Sequence, residues 1–540
     1  RFCGVDQKKD YRGAQLIRWL CIPDASGKFN EDPILMQELV DYCAQDVRAM
    51  RAASKAMRDL TEEELYDYHV NERINDRGVL VDVPLCEAAV RYAEAETQEI
   101  EQLVQEITMG ELTSVRSPKM REWVYERVGQ EAKKLMENDD GKTSIDKSVR
   151  GNLLQLAEER PDEVPPAVAD VIQCATDLWA SSVAKFKRLA ALADFDDDRA
   201  RGSFVFAGGS ATGRASSYGA QVHNFTRQCA DDPESVRTAM VRGHQIVPTY
   251  GRVVTDVLKG MLRPALMAPA GKQFVVADWA SIEARITPWC SDSDEGEAKL
   301  HLFEAGADVY KVNAAKTFKK KIEEITKDER QIGKVQELAC GFSGGIGAFN
   351  AMGRAYGLTL SEREAQRMVD GWRRANPWAL PYWSDLESAY TRAMRNPNRE
   401  FKAGRVVYLF DGMHLWYALP SGRILSYPFA KLDAEGVTYA KASWKPAAAA
   451  KEWPRARLWR GLACENITQA VAADILRCAL RELDDLYHDI VLHVHDEIVV
   501  ETSLPGLTEK DMKAIMTTPP AWASGLPLAV EIKTMNRYGK

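Results

Sequence analysis

Two apolar runs separated by only three polar residues constrain this chain most: Ile490 to Val494, then His495-Asp496-Glu497, then Ile498 to Val500. Runs of that length and β-branched content read as strands, and a polar trio between them reads as the tip of a hairpin. Far upstream a third run, Phe274-Val275-Val276-Ala277, delivers Asp278. Ile282, Ile286 and Trp289 follow at helical spacing, so Asp278 stands where a strand passes into a helix. Taken singly, Asp278 reads equally well as a helix N-cap and the trio as a polar turn. Together they place carboxylates at the ends of apolar strands, which is where a rigid scaffold can aim them.

Carboxylates are hard oxygen ligands, and Mg²⁺ takes one or two of them beside waters and substrate phosphates. Two strand-end aspartates suit a pair of ions about 4 Å apart, one at the attacking oxygen and one at the leaving oxygen of a phosphoryl transfer. Between the two acids lies a segment in which Arg330, Lys334, Leu338 and Phe342 recur every fourth residue. Residues so spaced share one face of a helix. That face carries two cations and then two apolar groups, the polarity of a nucleoside triphosphate with its phosphates at one end and a flat base at the other. A helix with one solvated half and one core half gives the same stripe, so its position between the two acids is what favours the phosphate reading.

The chain of 540 residues exceeds one compact core, and two to four packed units are expected. With 45% hydrophobic and 28% charged residues it has the balance of a globular protein. The longest apolar runs fall far short of the roughly 20 residues that span a bilayer, so no membrane segment is expected. A start at Arg1-Phe2-Cys3-Gly4, without Met or a leader pattern, suggests a fragment or processed product. Ten cysteines without a CxxC pair read as reduced thiols in a cytoplasmic protein. A net charge of −8 excludes a uniformly basic coat but not a local cationic groove, because phosphate binding depends on clustered Lys and Arg.

Helical periodicity covers Gln37 to Leu60, with Leu39, Val40, Cys43, Val47 and Met50 on one stripe. A turn at Asn75 to Gly78 leads into Val79 to Val81, and Pro84 opens a long helix to Thr108, closed by Gly110. A further amphipathic stretch spans Asp177 to Leu192, with Lys185, Lys187 and Arg188 beside its apolar face. Near residue 200 the composition turns to glycine and small polar residues, which marks a domain change. Short strands spread among long helices beyond it predict an α+β architecture.

The order and content of these segments resemble family A DNA polymerases. Asp278 to Arg285 is similar to the family's first palm motif, Arg330 to Phe342 to its fingers helix, and His495-Asp496-Glu497 to its last palm motif. Thr212 to Ser217 with His223-Asn224 resembles the primer-template minor-groove segment, and Glu465 to Asp474 the palm helix on the template. Tyr42 to Asp46 resembles the third motif of a 3′-5′ exonuclease whose other carboxylates would precede Arg1, so an inactive remnant is expected. Lys8-Lys9-Asp10, Asn75 to Val79 and Ser117-Pro118-Lys119 add a phage-like impression.

The resemblance implies a right-hand fold: an exonuclease remnant over 1–65, a helical thumb over 66–200, palm over 201–300, fingers over 301–395 and palm again over 396–540. It implies a monomer that extends a primer on template DNA with dNTPs, serves phage replication, uses two Mg²⁺ with Mn²⁺ as a substitute, and works beside an unidentified processivity or replisome partner. Asp278, Asp496 and the Trp279 backbone carbonyl would hold the metals, with Glu497 beside them in the catalytic set. Arg330 and Lys334 would bind the triphosphate, Lys334 also protonating the pyrophosphate. Leu338, Phe342, Glu283 and Tyr310 would complete the dNTP site, Glu283 excluding a 2′-hydroxyl. Arg214, Asn224, Arg285, Gln469 and His495 would hold primer-template DNA.

Three positions depart from the family pattern. Phe342 stands for the usual Tyr and loses a hydroxyl partner for Glu283, which predicts a leakier sugar gate. Leu338 replaces an aromatic, and Tyr310 replaces a common His. Three rival readings are a single-subunit RNA polymerase-like enzyme, a nuclease, and a catalytically silent primer-template-binding module. Glu283 opposes the first because a ribonucleotide enzyme cannot keep a carboxylate against the 2′-hydroxyl. The cationic stripe opposes the second. The joint presence of acids and cations opposes the third, since binding alone needs neither.

Overall fold

The computed structural model describes residues 12–137, 142–178, 181–358, 360–441, 453–503 and 506–539. Lys8-Lys9-Asp10 and Ala447 to Ala450 lie outside them. The chain divides into two compact units, Arg1–His69 and Val70–Lys540.

In the first unit the helix Gly13–Leu20 packs on Pro33–Ala56, so closely that a Cβ on Gly13 would meet the Tyr42 ring at 2.1 Å. Asp32 caps the longer helix by accepting from Ile34 N and Leu35 N, with Pro33 at its first turn. The expected helix is therefore present, shifted toward its cap. Its apolar stripe is not a core face, because Val40, Val47 and Met50 are exposed at 53%, 49% and 64%. Local periodicity shows which face is apolar and not whether anything covers it.

The second unit opens at Val70, within the helix Glu62–Arg77. The expected turn at Asn75 to Gly78 is the last turn of this helix plus Gly78 at φ 61°. There a Cβ would meet the Ala200 carbonyl at 2.6 Å, so glycine lets the strand Val79–Val81 begin against its partner. Asp82 caps the helix Val83–Ile107. Val104, Trp123, Met136, Leu153, Ile172 and Leu178 belong to one buried cluster, which gives the helices between residues 83 and 178 a core of their own.

The acids are carried by a four-stranded antiparallel sheet in the order Asp489–Val494, Glu497–Ser503, Lys272–Trp279, Val530–Met535. The expected hairpin is its first two strands. Its tip is only His495-Asp496, since Glu497 already pairs within the ladder. Phe274, Val275, Ala277, Ile490, Leu492, Ile498 and Val500 are fully or almost fully buried, as a central strand with helices behind it requires. The helix Arg460–Asp485 contributes buried Ile467, Ala470, Val471 and Leu483 to the same core.

Two further antiparallel sheets were not foreseen in the sequence. One is a meander of Glu400–Ala403, Val406–Phe410, Leu415–Ala418 and Ile424–Tyr427, and the other pairs Lys431–Asp433, Gly436–Ala440 and Arg455–Leu458. Tyr417 and Tyr427 stack at 5.2 Å, with Tyr408 on one side and Tyr439 on the other. Among the described residues no helix is long and apolar enough to cross a membrane.

Candidate active site

Asp278 is the penultimate residue of its strand, directly opposite Glu497 on one neighbour and Glu531 on the other. The backbone N–H of Trp279 donates to the carbonyl of Asp496 at 3.0 Å. That bond stitches the strand end carrying Asp278 to the hairpin tip carrying Asp496. His495 takes φ 58° at the tip, which reverses the chain and aims the next residue outward. Asp278 is not the cap of the following helix; Ser281, in a left-handed conformation at φ 54°, occupies that position. The ordinary capping reading of Asp278 therefore falls away.

A cleft of about 600 Å³ opens at this strand end, and Asp278, Trp279 and Asp496 line it. Arg330, Lys334, Leu338 and Phe342 line it from the helix Lys327–Cys340 and the residues just after it. The helix starts with a capping box, in which Thr326 accepts from Glu329 N and Glu329 from Thr326 N. It ends two residues before Phe342, so the four-residue stripe is helical only through Leu338. Past the helix end, the Phe342 carbonyl lies against the Arg460–Asp485 helix, where a Cβ on Gly461 would meet it at 2.3 Å.

The cations are not idle. Arg330 Nε donates to Asp308 Oδ2 at 2.6 Å, and its guanidinium lies 5.3 Å from the Tyr310 ring centre. Lys334 Nζ lies 5.0 Å from the Tyr356 ring centre. The Tyr310 hydroxyl sits 3.2 Å from Ser281 Oγ, and burial raises its pKa. Tyr310 therefore links the cationic helix to the strand end that carries Asp278.

Glu283, in the first turn after the acid, accepts from Arg214 at 3.4 Å. Arg214 rides on a loop whose Thr212 and Gly213 carbonyls accept from Arg423 and Arg477 at 3.0 and 2.7 Å, with Arg423 held by Asp474 at 2.6 Å. Arg214, Glu283, Tyr310 and His495 all line the cleft. Behind the hairpin tip stands a histidine cluster. His493 stacks on Phe204 at 4.6 Å, and His223 contacts His493 and His495 at 5.7 and 5.3 Å. Burial, reinforced by its charged neighbours, pushes His223 down to about 3 and His493 down to about 4. His495 is lowered too, first by burial and then by Arg214.

Four expected site residues do not line this cleft. The Glu497 carboxylate is buried at 3% exposure, where it accepts from the Tyr538 hydroxyl and lies 3.9 Å from Arg263. Arg285 donates to the carbonyls of Ala280 and Pro527 at 2.8 and 3.0 Å and lies over the Phe303 ring. The Gln469 amide donates to Glu465 at 3.3 Å. Asn224 turns its side-chain amide to Gln221 at 3.5 Å, while its backbone carbonyl accepts from Lys185. Conversely, Arg227, Glu337, Tyr356, Trp378 and Glu531 line the cleft and were not singled out in the sequence. Only Glu531 had a local signal, as an acid in an alternating strand.

Among the described residues no three His, Cys, Asp or Glu side chains gather into a cage for a cation. Two carboxylates facing a cationic wall fit a site whose ion would draw its other ligands from water and substrate.

The DNA polymerase family A model matches residues 84–540. The DNA polymerase of Bacillus phage SP02 is 32% identical over 557 aligned positions, covering 99% of this chain and 82% of that one. DNA polymerase I of Pseudomonas aeruginosa is 24% identical over 44% of this chain and 22% of its own. The DNA polymerase I of Aquifex aeolicus is 34% identical over 23% of this chain and 21% of its own. Among solved structures, the POL domain of Pol1 from M. smegmatis in complex with DNA primer-template and dNTP aligns over 99% of this chain and 80% of that one. Its TM-score is 0.59 and its identity 17%, a likeness of fold.

Proposed function

The chain belongs to DNA polymerase family A, and from that premise we propose how its own residues carry out the family's template-directed DNA synthesis. The single observation that carries the reading is the meeting of Asp278 and Asp496 with Arg330 and Lys334 across one cleft. Asp278 and Asp496 are the ligands for two divalent cations, Mg²⁺ first and Mn²⁺ as a substitute. When bound, the ions lower the pKa of the attacking 3′-hydroxyl and neutralise charge on the leaving oxygen. Arg330 leaves Asp308 for the triphosphate, a charge-assisted exchange of one anion for another. Lys334 holds the β/γ end and carries the proton that pyrophosphate needs as it departs.

The nucleotide's sugar lies against Glu283, whose carboxylate leaves no room for a 2′-hydroxyl, and its base against Phe342. Arg214 and His495 approach the nascent pair from the minor-groove side, where the pattern of acceptors reads base pairing more than sequence. Glu497 acts from behind, holding the tip end of the hairpin through Tyr538. The buried placement of Arg285 supports a structural role for it, while half-buried Gln469 and exposed Asn224 remain on hand for primer-template DNA. Substrates are a primer-template and dNTPs, and phage replication is the setting that the likeness to the phage enzyme supports. The helices between residues 83 and 178 with their own core support a thumb, those near the cationic helix support fingers, and Tyr42 to Asp46 supports an exonuclease-type first unit.

Primer extension on a defined template tests the reading. Extension with dNTPs and Mg²⁺, loss of it with EDTA, and poor use of NTPs are expected. Equal use of NTPs would instead favour the RNA polymerase-like reading, and duplex binding without extension the silent module.

A further inference from the structure

Glu337 lies three residues after Lys334 and one before Leu338, and it faces the cleft, yet its carboxylate is spent on the interior. One oxygen, Oε2, gathers three donors from three other helices. Lys299 Nζ comes from Asp294–Glu304 at 3.2 Å, Asn313 Nδ2 from Val309–Phe318 at 2.5 Å and Trp372 Nε1 from Glu362–Ala375 at 2.9 Å. Lys299 also donates to Asn376 Oδ1 at 2.8 Å, and the Asn376 amide reaches Asn313 Oδ1 at 3.3 Å. All five side chains belong to residues no more than 8% exposed. Next to it, Gln336 donates to Thr317 Oγ1 at 2.9 Å and to the Met368 carbonyl at 2.6 Å. At Gly333 the packing is so close that a Cβ would meet the Tyr310 carbonyl at 2.1 Å.

Apolar burial is non-directional and tolerates a helix turning about its own axis. Three hydrogen bonds converging on one oxygen do not, and a buried ion pair with one partner removed leaves an uncompensated charge. Side-chain ends lie about 5–6 Å from a helix axis, so a rotation of about 10° moves the Lys334 ammonium by about 1 Å. Misplacement by about 1 Å can cost 100-fold in rate. The network touches the helix in the same turn as the residues that face the nucleotide.

We propose that the buried Lys299–Glu337 pair is a positioning device that fixes the rotation of the Lys327–Cys340 helix and thereby sets the KM for dNTP and the preference for deoxy over ribo sugars. The inference rests on the reading that this helix face receives the nucleotide. Lys299 is the more telling residue, because it lies behind the helix and is not part of the cleft wall.

The test uses the full chain with a primer-template and compares Lys299→Met, Glu337→Gln and the double variant Lys299→Met/Glu337→Leu, which replaces both charges by apolar groups. Expected are a dNTP KM raised tenfold or more in Lys299→Met, a deoxy/ribo ratio lowered severalfold, and primer-template affinity within twofold. The double variant should regain melting temperature without regaining KM. Arg330→Ala is the control for the reading beneath. If it raises KM while the double variant, folded, keeps KM and sugar ratio within twofold of the parent, the positioning role is overturned and the reading stands. If Arg330→Ala leaves KM unmoved, the helix-face reading is overturned and this inference with it. Should the single variants fail to fold, the double variant decides by the same criterion.

Discussion

The two walls of the cleft are built on different principles. On the acid wall, backbone pairing sets position: Asp278 is held between two ladder partners, and the Trp279 N–H bonds the Asp496 carbonyl. Any side chain at those positions is delivered to the same place. On the cation wall one helix presents Arg330 and Lys334, and buried side chains such as Lys299, Asn313 and Trp372 hold it. Substitution on the acid wall should therefore change chemistry without moving geometry, while substitution behind the cation wall should change geometry.

The largest effect that probes this contrast belongs to the acids. Asp278→Asn should lower single-nucleotide extension by at least about a thousandfold, the loss of several kcal/mol of metal-borne charge stabilisation. Melting temperature and primer-template affinity should barely change; a large drop in either would mean that the acid wall depends on side chains after all. Next in size, Arg330→Ala removes charge-assisted hydrogen bonds of about 1.5–3 kcal/mol, so kcat/KM for dNTP should fall about 10- to 100-fold.

The histidines behind the acid wall give a pH signature. Burial depresses His493 to about 4 in the folded chain from its ordinary 6.5. Between those values the unfolded chain binds the proton and the native chain does not, so stability is full above pH 6.5 and is lost as pH falls toward 4. Burial of this imidazole should contribute about 3 kcal/mol to that acid-side loss. His493→Gln should flatten the decline in melting temperature over this range, and an unchanged slope would remove the buried histidine as its source. The smallest effect concerns Phe342: Phe342→Tyr should lower ribonucleotide incorporation a few-fold by restoring a hydroxyl partner for Glu283. Incorporation that does not fall counts against the leaky gate.

Much of the acid wall was legible because its strands announce themselves as apolar runs and their ends carry the acids. The cationic stripe was legible as far as Leu338, since fourfold spacing is a local property. Its end was not: the helix stops at Cys340, and the Phe342 carbonyl packs against the distant Gly461. Glu497 stands next to Asp496 in the chain, yet its carboxylate goes to Tyr538 and Arg263, partners set by tertiary packing. Lys299 and Glu337 carry no signal in the sequence, because nothing local tells a buried charge from a solvated one. The meander from Glu400 to Tyr427 escaped notice for a related reason. Its inward Tyr408, Tyr417 and Tyr427 are almost fully buried, and a tyrosine marks an inward position less plainly than an aliphatic side chain.

The central claim is that Asp278 and Asp496 together hold metal opposite Arg330 and Lys334. Manganese binding measured by electron paramagnetic resonance, on a complex with a dideoxy-ended primer-template and the matching dNTP, addresses it most directly. The parent chain should hold two Mn²⁺ with nucleotide present, and Asp278→Asn at most one, with the primer-template still bound. Two ions retained at undiminished affinity in Asp278→Asn would contradict the account.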